Sequence, residues 1–355
     1  MLEATYQINI TNTKNSRLAQ TDFDNLKFGS VFSDHMFVAE YKNGAWNSGE
    51  IVPFGDMSFS PALCTLHYGQ SIFEGLKAYK SAEGEILVFR PLSNYKRMMV
   101  SADRMCMPQF PEEMFVEGMK QLLQLDNAWI PEKEGSSLYI RPFLFASEEF
   151  LGIRPSAEYK FIIFTCPVGA YYSTPVKVKV EEHYTRAANG GVGTAKTAAN
   201  YAASLYPAKL AQEQGYDQIA WTDALTHKYF EESGTMNIVF RKGNTIFTPE
   251  LGDSVLNGVT RASVLQLARD WGYVVEERKV SVDEVEKYIQ NKELDEVFGA
   301  GTAATIAHIV VMNINGTDYA LPAPETREFS IRVLEELNEL KHGRIADTRG
   351  WIMKI

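Results

Sequence analysis

The spacing of apolar and polar positions predicts strands interleaved with helices. Residues 86–90 (ILVFR), 137–145 (SLYIRPFLF) and 160–166 (KFIIFTC) are short runs rich in branched and aromatic side chains, the pattern of buried strands. Between the first two, 111–125 (PEEMFVEGMKQLLQL) has helical periodicity and opens with Pro and two acids, which suit a helix N-terminus. The following PVGAYYSTP gathers Pro, Gly and Ser. It places a boundary: a smaller first domain over 1–170, a connecting loop over 171–177 and a larger second domain over 178–355. The second begins with the alternating VKVKVEE, a strand with one wet face. MNIVFRKGNTIFTP reads as strand, turn, strand, and so does IVVMNINGTDYAL around Asn315-Gly316. Helices are expected over 202–214, 260–271, 282–290 and 325–341; in the last, Phe329, Val333, Leu337 and Leu340 share a face. The local hairpins argue against an all-parallel sheet, so the predicted class is α+β in both halves.

Composition narrows the function. The chain has 355 residues, enough for about two domains, and 35 Lys+Arg against 45 Asp+Glu give a net charge of −10. An acidic balance argues against non-specific nucleic-acid binding. No apolar run approaches a membrane span, and the opening MLEATYQINITNTKNSRLAQ lacks a signal-peptide core. Cys64, Cys106 and Cys166 are sparse, odd in number and far apart, which fits a reducing compartment. The expectation is a soluble cytoplasmic protein with small-molecule partners, no nucleic acid and no membrane. His35, His67, His183, His227, His308 and His342 form no HExxH or other ligand pair, so no metal site is expected. GxSxG, P-loop and complete GxGxxG motifs are absent.

Four stretches carry the candidate chemistry. In NGGVGTAKTAANY (189–201) one lysine, Lys196, stands among Gly, Ala and Thr with no charged neighbour from Ala187 to Tyr201. Alone, this reads as a solvated loop lysine; alternatively it is an imine-forming amine, with small residues admitting a flat cofactor. EESGTMNIVF (231–240) sets a carboxylate before a Gly-Thr turn entering a strand. It is an exposed Glu pair, or a carboxylate that keeps a pyridine nitrogen protonated so that the ring withdraws electrons. LNGVTRASVL (256–265) starts a helix after a Gly, which is an ordinary cap or a seat for phosphate. FGAGTAATI (298–306) is a Gly-Thr-Ala turn, able to present N–H groups and a hydroxyl to anions.

Taken in order, these stretches resemble those of branched-chain amino acid aminotransferases of the fold type IV pyridoxal-phosphate enzymes. The resemblance runs from FGSVFSDHMF near residue 28 to the GW tail near residue 350. It also takes in LHYGQSIFEGLKAYK (66–80), RMMVSADRMCMP (97–108), SLYIRP (137–142) and CPVGAYY (166–172). It implies a two-domain fold like that of D-amino acid aminotransferase, with an N-terminal α/β sandwich and a C-terminal domain built on a barrel-like sheet. It also implies pyridoxal 5′-phosphate as cofactor. The activity implied is branched-chain-amino-acid transaminase (EC 2.6.1.42), a ping-pong exchange between leucine, isoleucine or valine and 2-oxoglutarate, with a homodimer as the minimum assembly and a site between the domains completed by the second subunit.

By this resemblance Lys196, in G-x-x-K-x-x-x-N-Y, holds the cofactor as an internal aldimine and shuttles the substrate α-proton. Tyr201 hydrogen-bonds the ring oxygen, and Glu232 partners the pyridine nitrogen. Arg104 binds the phosphate together with Val259, Thr260 and Thr302. Tyr68 and the Thr302–Ala303 turn receive the α-carboxylate. Phe28, Phe73, Tyr139, Tyr171 and Thr235 line the side-chain pocket, with Arg141 near its mouth; the family's counterparts of Tyr139 and Ile153 come from the other subunit. One apolar pocket can serve all three branched substrates, since a methylene is worth only about 1–3 kcal/mol. A tyrosine hydroxyl or Arg141 answers the carboxylate of glutamate. Two features depart from other members. Ala304, Thr305, Ile306 and Ala307 replace a C-x-x-C pair, which excludes a thiol switch there, and Ala198 and Ala199 stand where other members show glycines. The same-fold rivals are a D-amino acid aminotransferase and an aminodeoxychorismate lyase. A non-catalytic protein of the same fold is the rival from another class, opposed by the presence of both Lys196 and Glu232.

Overall fold

The computed structural model describes residues 7–169 and 174–355. The chain forms two units: residues 1–171 with Ala195–Ala198 and Glu339–Ile355, and residues 172–194 with Ala199–Asn338. The architecture is α+β.

The first unit is built on one large sheet. Its strands run in the order Asn9–Ile10, Glu50–Pro53, His35–Lys42, Tyr159–Val168, Ser137–Ala146, Leu76–Lys80, Ile86–Phe89 and Ile352–Lys354. Ser71–Phe73 adds to the Ser137–Ala146 strand. The expected strands at 86–90, 137–145 and 160–166 are found within two residues, and the helix expected at 111–125 spans Glu112–Leu125. That helix buries Met114, Phe115, Met119, Leu122 and Leu123 in a core shared with Phe37, Phe110 and Phe161. A second helix, Pro91–Arg104, was not anticipated. Its Pro at the first position suits a start, but its buried face carries Asn94 and Ser101 beside Met98 and Met99, so the apolar stripe is broken. The tail also differs from expectation. Glu339–Ile355, assigned to the second domain by its place in the sequence, belongs to the first unit, because Ile352–Lys354 pairs antiparallel with Ile86–Phe89.

The second unit closes a sheet on itself. Six strands, Val176–Val180, Gln218–Thr222, Phe230–Ser233, Met236–Lys242, Glu296–Gly301 and Thr305–Ile314, form a ring that ends where it began. Val176, Val178 and Val180 enter its core with Ile238, Phe240, Val297 and Ile309, while Lys177 and Lys179 alternate outward, as VKVKV predicts. Both expected hairpins are present. Asn315 and Gly316 have φ of 50° and 78°, the left-handed pair a tight hairpin turn requires. Helix Val282–Gln290 begins at a capping box: Ser281 Oγ accepts from Glu284 N at 3.1 Å. Helix Glu328–Lys341 begins on a buried carboxylate, since Glu296 accepts from Phe329 N at 2.9 Å and Ser330 N at 2.8 Å and from Arg241 Nη1 at 2.8 Å. Its predicted face, Phe329, Val333, Leu337 and Leu340, is buried throughout.

Candidate active site

Within the second unit, three of the singled-out stretches meet around one side chain. Asn237 is the cross-strand partner of Glu232 on one side and of Ala300 on the other. Its Nδ2 donates to Leu256 O at 2.9 Å, which draws the segment before helix Val259–Asp270 against the same end of the barrel. Glu232, the start of that helix and the Gly301–Thr302–Ala303 turn are thereby gathered. The helix begins after Gly258 with no side-chain cap, and Val259 and Thr260 are buried. Backbone N–H groups at such a start favour an anion.

Glu232 is 3% exposed. Its Oε1 accepts from Leu256 N at 2.7 Å and lies 3.2 Å from Arg186 Nη2. Arg186 also donates to the carbonyls of Gly193, at 3.3 Å, and Ser254. This buried guanidinium ties the glycine-rich loop and the 253–256 turn to the carboxylate. Close approach is what demands glycine there: a Cβ on Gly193 would lie 2.5 Å from Asp253 O and 2.6 Å from Ser254 Cα, both backbone. Tyr201 sits in the first turn of helix Ala198–Glu213, and Asn200 Nδ2 returns to Val192 O at 2.9 Å. Thr235 is exposed in the turn at Gly234.

In the first unit, Lys196 is anchored by its main chain. Its N–H donates to Ser101 Oγ at 2.9 Å and its carbonyl accepts from Phe73 N at 3.0 Å. Its Nζ lies 4.7 Å from the Phe73 ring centroid, and the Arg141 guanidinium lies 4.7 Å from the same ring. Arg141 Nη2 donates to the Tyr139 hydroxyl at 3.1 Å, and Phe28 meets the Tyr139 ring edge-on at 5.0 Å. Lys196, Phe73, Arg141, Tyr139 and Phe28 therefore form one continuous cluster. Arg104 is exposed at the end of helix Pro91–Arg104, and Tyr68 is exposed at the end of Cys64–Tyr68. Ile153 is 95% exposed. Tyr171 lies outside the described residues.

The family profile described as Amino-transferase class IV matches residues 71–311. The chain belongs to this family. It is 43% identical to branched-chain-amino-acid aminotransferase 2 of Bacillus subtilis, over 100% of this chain and 98% of that one. It is 45% identical to a probable branched-chain-amino-acid aminotransferase of Staphylococcus aureus, with 93% of each covered. Among solved structures, the branched-chain amino acid aminotransferase of Escherichia coli superposes with a TM-score of 0.73 at 27% identity, covering 90% of this chain and 98% of that one. The T.th. enzyme with pyridoxamine 5′-phosphate does so with a TM-score of 0.70 at 27% identity, covering 89% and 97%.

Sequence reasoning about this class IV aminotransferase passed over Arg186. Its signal was its position, directly before the uncharged run that contains Lys196. It also passed over Glu231, whose buried Oε2 has no hydrogen-bond partner. Burial pushes the Glu231 carboxyl up to about 7. The negative charges of Glu232 and Asp223 add to this, while Ser254 and Arg186 pull against it.

Proposed function

We propose that the protein is a branched-chain-amino-acid aminotransferase with pyridoxal 5′-phosphate as its cofactor, exchanging the amino group between L-leucine, L-isoleucine or L-valine and 2-oxoglutarate in two half-reactions. The observation that carries the reading is the meeting, around Asn237, of a buried carboxylate and the start of helix Val259–Asp270 after Gly258. The first suits a protonated ring nitrogen and the second a phosphate, the two ends of one cofactor. The relatives' names support the substrate class.

The donor set fits the group. When bound, pyridoxal phosphate supplies an aldehyde for amines and a ring that withdraws electrons from the substrate α-carbon. In this reading Lys196 would hold the cofactor through Nζ, and the same amine would take up and return the substrate α-proton. Glu232, 3.2 Å from Arg186 and bonded to the Leu256 N–H, would partner the ring nitrogen. Arg104, Val259, Thr260 and Thr302 take the phosphate, and Tyr201 the ring oxygen. Tyr68 and Thr302–Ala303 receive the α-carboxylate. Phe28, Phe73, Tyr139, Tyr171 and Thr235 supply the apolar pocket. Arg141, whose Nε is buried without a partner, is the group for the glutamate side chain. A second copy of the chain completes the site. It covers the apolar surface of Leu66, Leu151 and Ile153, where Phe150 N donates to Ala62 O at 3.1 Å beside helix Cys64–Tyr68. Among the described residues no helix is long and apolar enough to cross a membrane. Three free thiols support a cytoplasmic location.

The test is the visible spectrum of the purified protein with pyridoxal phosphate, before and after L-leucine without any oxo acid. Bleaching of a yellow band by L-leucine is expected. A band indifferent to L-leucine but bleached by D-alanine would transfer the reading to a D-amino acid aminotransferase. A protein that takes up no cofactor would end it.

A further inference from the structure

Every residue from Arg17 to Phe32 is at least partly exposed. The segment is not fixed by buried side chains of its own, so its position depends on what holds its ends and its tip. The ends are clasped by Asp34, which is 8% exposed and directly precedes strand His35–Lys42. Asp34 Oδ1 accepts from Arg17 N at 3.0 Å, and its Oδ2 accepts from Ser16 Oγ at 2.5 Å and from Nε1 of the buried Trp129 at 3.0 Å. Arg17 Nη2 donates to Ser33 O at 2.6 Å, and Ser33 N donates to Thr165 O at 2.9 Å. Burial pushes the Asp34 carboxyl up, but the Ser16 hydroxyl and the Arg17 and Trp129 N–H groups bring it below the ordinary carboxylate range, so the clasp is ionic. The tip lies over the strands Tyr159–Val168 and Ser137–Ala146. Gly29, at a φ of 71°, turns its N–H toward the Cys166 thiol, and Phe28 lies edge-on to Tyr139, the cross-strand partner of Cys166. An ion pair between Lys133 and Asp24 at 2.8 Å is exposed and adds little.

We propose, on the reading that Phe28 lines the substrate side-chain pocket, that residues 17–33 form a specificity-determining wall of that pocket and that Asp34 is the positioning residue that holds it. A surface loop whose ends meet in this way is an Ω-loop, which presents side chains from a fixed base. Here the base is the Asp34 clasp, and the side chain presented is Phe28, 42% exposed. Its ring ends the run of side chains that begins with Lys196 and passes through Phe73, Arg141 and Tyr139. The wall therefore stands at the far end of that run from the lysine, where the outer part of an amino-acid side chain would be met. Leu18, Phe23 and Val31 reach the core of the first unit only at its edge, half-buried, so the loop owes its place to the clasp more than to packing.

The test compares wild type, Asp34→Asn and the double variant Ser16→Ala with Arg17→Ala, each loaded with pyridoxal phosphate. The first readout is hydrogen exchange of peptides covering residues 18–32, by mass spectrometry. The second is the Kd of 4-methylvaleric acid, a branched carboxylate with no amine to react. The third is the second-order rate constant for bleaching of the visible band by L-leucine relative to L-alanine, which has no branched end to meet the wall. In Asp34→Asn an amide NH2 replaces one acceptor and faces donors, so the clasp opens. Exchange over 18–32 should rise about tenfold or more, the Kd should rise about tenfold, and the leucine-to-alanine ratio should fall about tenfold. Faster exchange with an unchanged Kd and ratio would make the loop no part of the pocket and overturn the inference. Unchanged exchange would also overturn it, because Asp34 would not be the hold. If Asp34→Asn does not fold, the double variant, which trims the exposed side of the clasp, decides on the same three readouts, with changes of about threefold expected. Wild type that neither bleaches with L-leucine nor binds 4-methylvaleric acid defeats the proposed function. That result is read without any variant, and so is distinct from failure of the Asp34 inference alone.

Discussion

Replacing Glu231 by Gln removes a titration and changes little else, since the amide has the carboxyl's shape. In the folded protein Glu231 is 7% exposed, and burial raises its pKa from 4.5 to about 7. Below about pH 4.5 both folded and unfolded chains hold the proton, and the group costs nothing. Between 4.5 and about 7 the unfolded chain ionises first, so wild-type stability falls as pH rises; above about 7 the loss is complete. A shift of this size corresponds to about 3 kcal/mol, and solvent access at the site reduces it to about 1–2 kcal/mol. Urea midpoints for wild type and Glu231→Gln, measured at equal protein concentration from pH 4.5 to 8.5, give the difference directly. The variant should match wild type at the acid end and gain steadily toward pH 8. A difference that is flat with pH, or that shrinks as pH rises, would refute the reasoning.

Arg186→Met removes the 3.2 Å ion pair with Glu232, and on the proposed function kcat for L-leucine should fall about tenfold or more, with KM changing less. Arg327 is buried and donates to the carbonyls of Val297 at 2.7 Å, Pro322 at 2.9 Å and Ile309 at 2.5 Å, so Arg327→Met should destabilise by at least about 3 kcal/mol in urea. Lys341 is brought down to about 7 by burial and by repulsion from Lys77. Wild-type stability should therefore rise between pH 7 and 10, and Lys341→Met should flatten that rise in the same assay.

The elements legible in the sequence were those with an uninterrupted pattern. The long strands Ser137–Ala146 and Tyr159–Val168 and the helix Glu112–Leu125 each bury one continuous apolar set. Helix Pro91–Arg104 was hidden because its inner face is partly polar, and the reason for that is distant: Asn94 and Arg97 face Glu74, just past the strand Ser71–Phe73. Closure of the barrel was foreshadowed only through the family resemblance, since ring closure depends on pairing between Phe230–Ser233 and Met236–Lys242 while both also pair elsewhere. For the site, ordered motifs named Lys196, Glu232 and the helix start at Val259. The residues that hold these, Arg186 and Ser101, have no local signature, because each acts through a contact far away in sequence.

The pairing of Ile352–Lys354 with Ile86–Phe89 also sets a schedule for synthesis. The body of the first sheet ends at Val168, and its last strand is made roughly 180 residues later, after the whole barrel. At about 5–20 residues per second the ribosome keeps that sheet waiting on the order of 10–40 s. Throughout this interval the Ile86–Phe89 edge lacks its partner, and an open edge is a template for strands of other chains. Nascent chains therefore carry an open sheet edge, and the aggregation risk that goes with it, for as long as the barrel is being made.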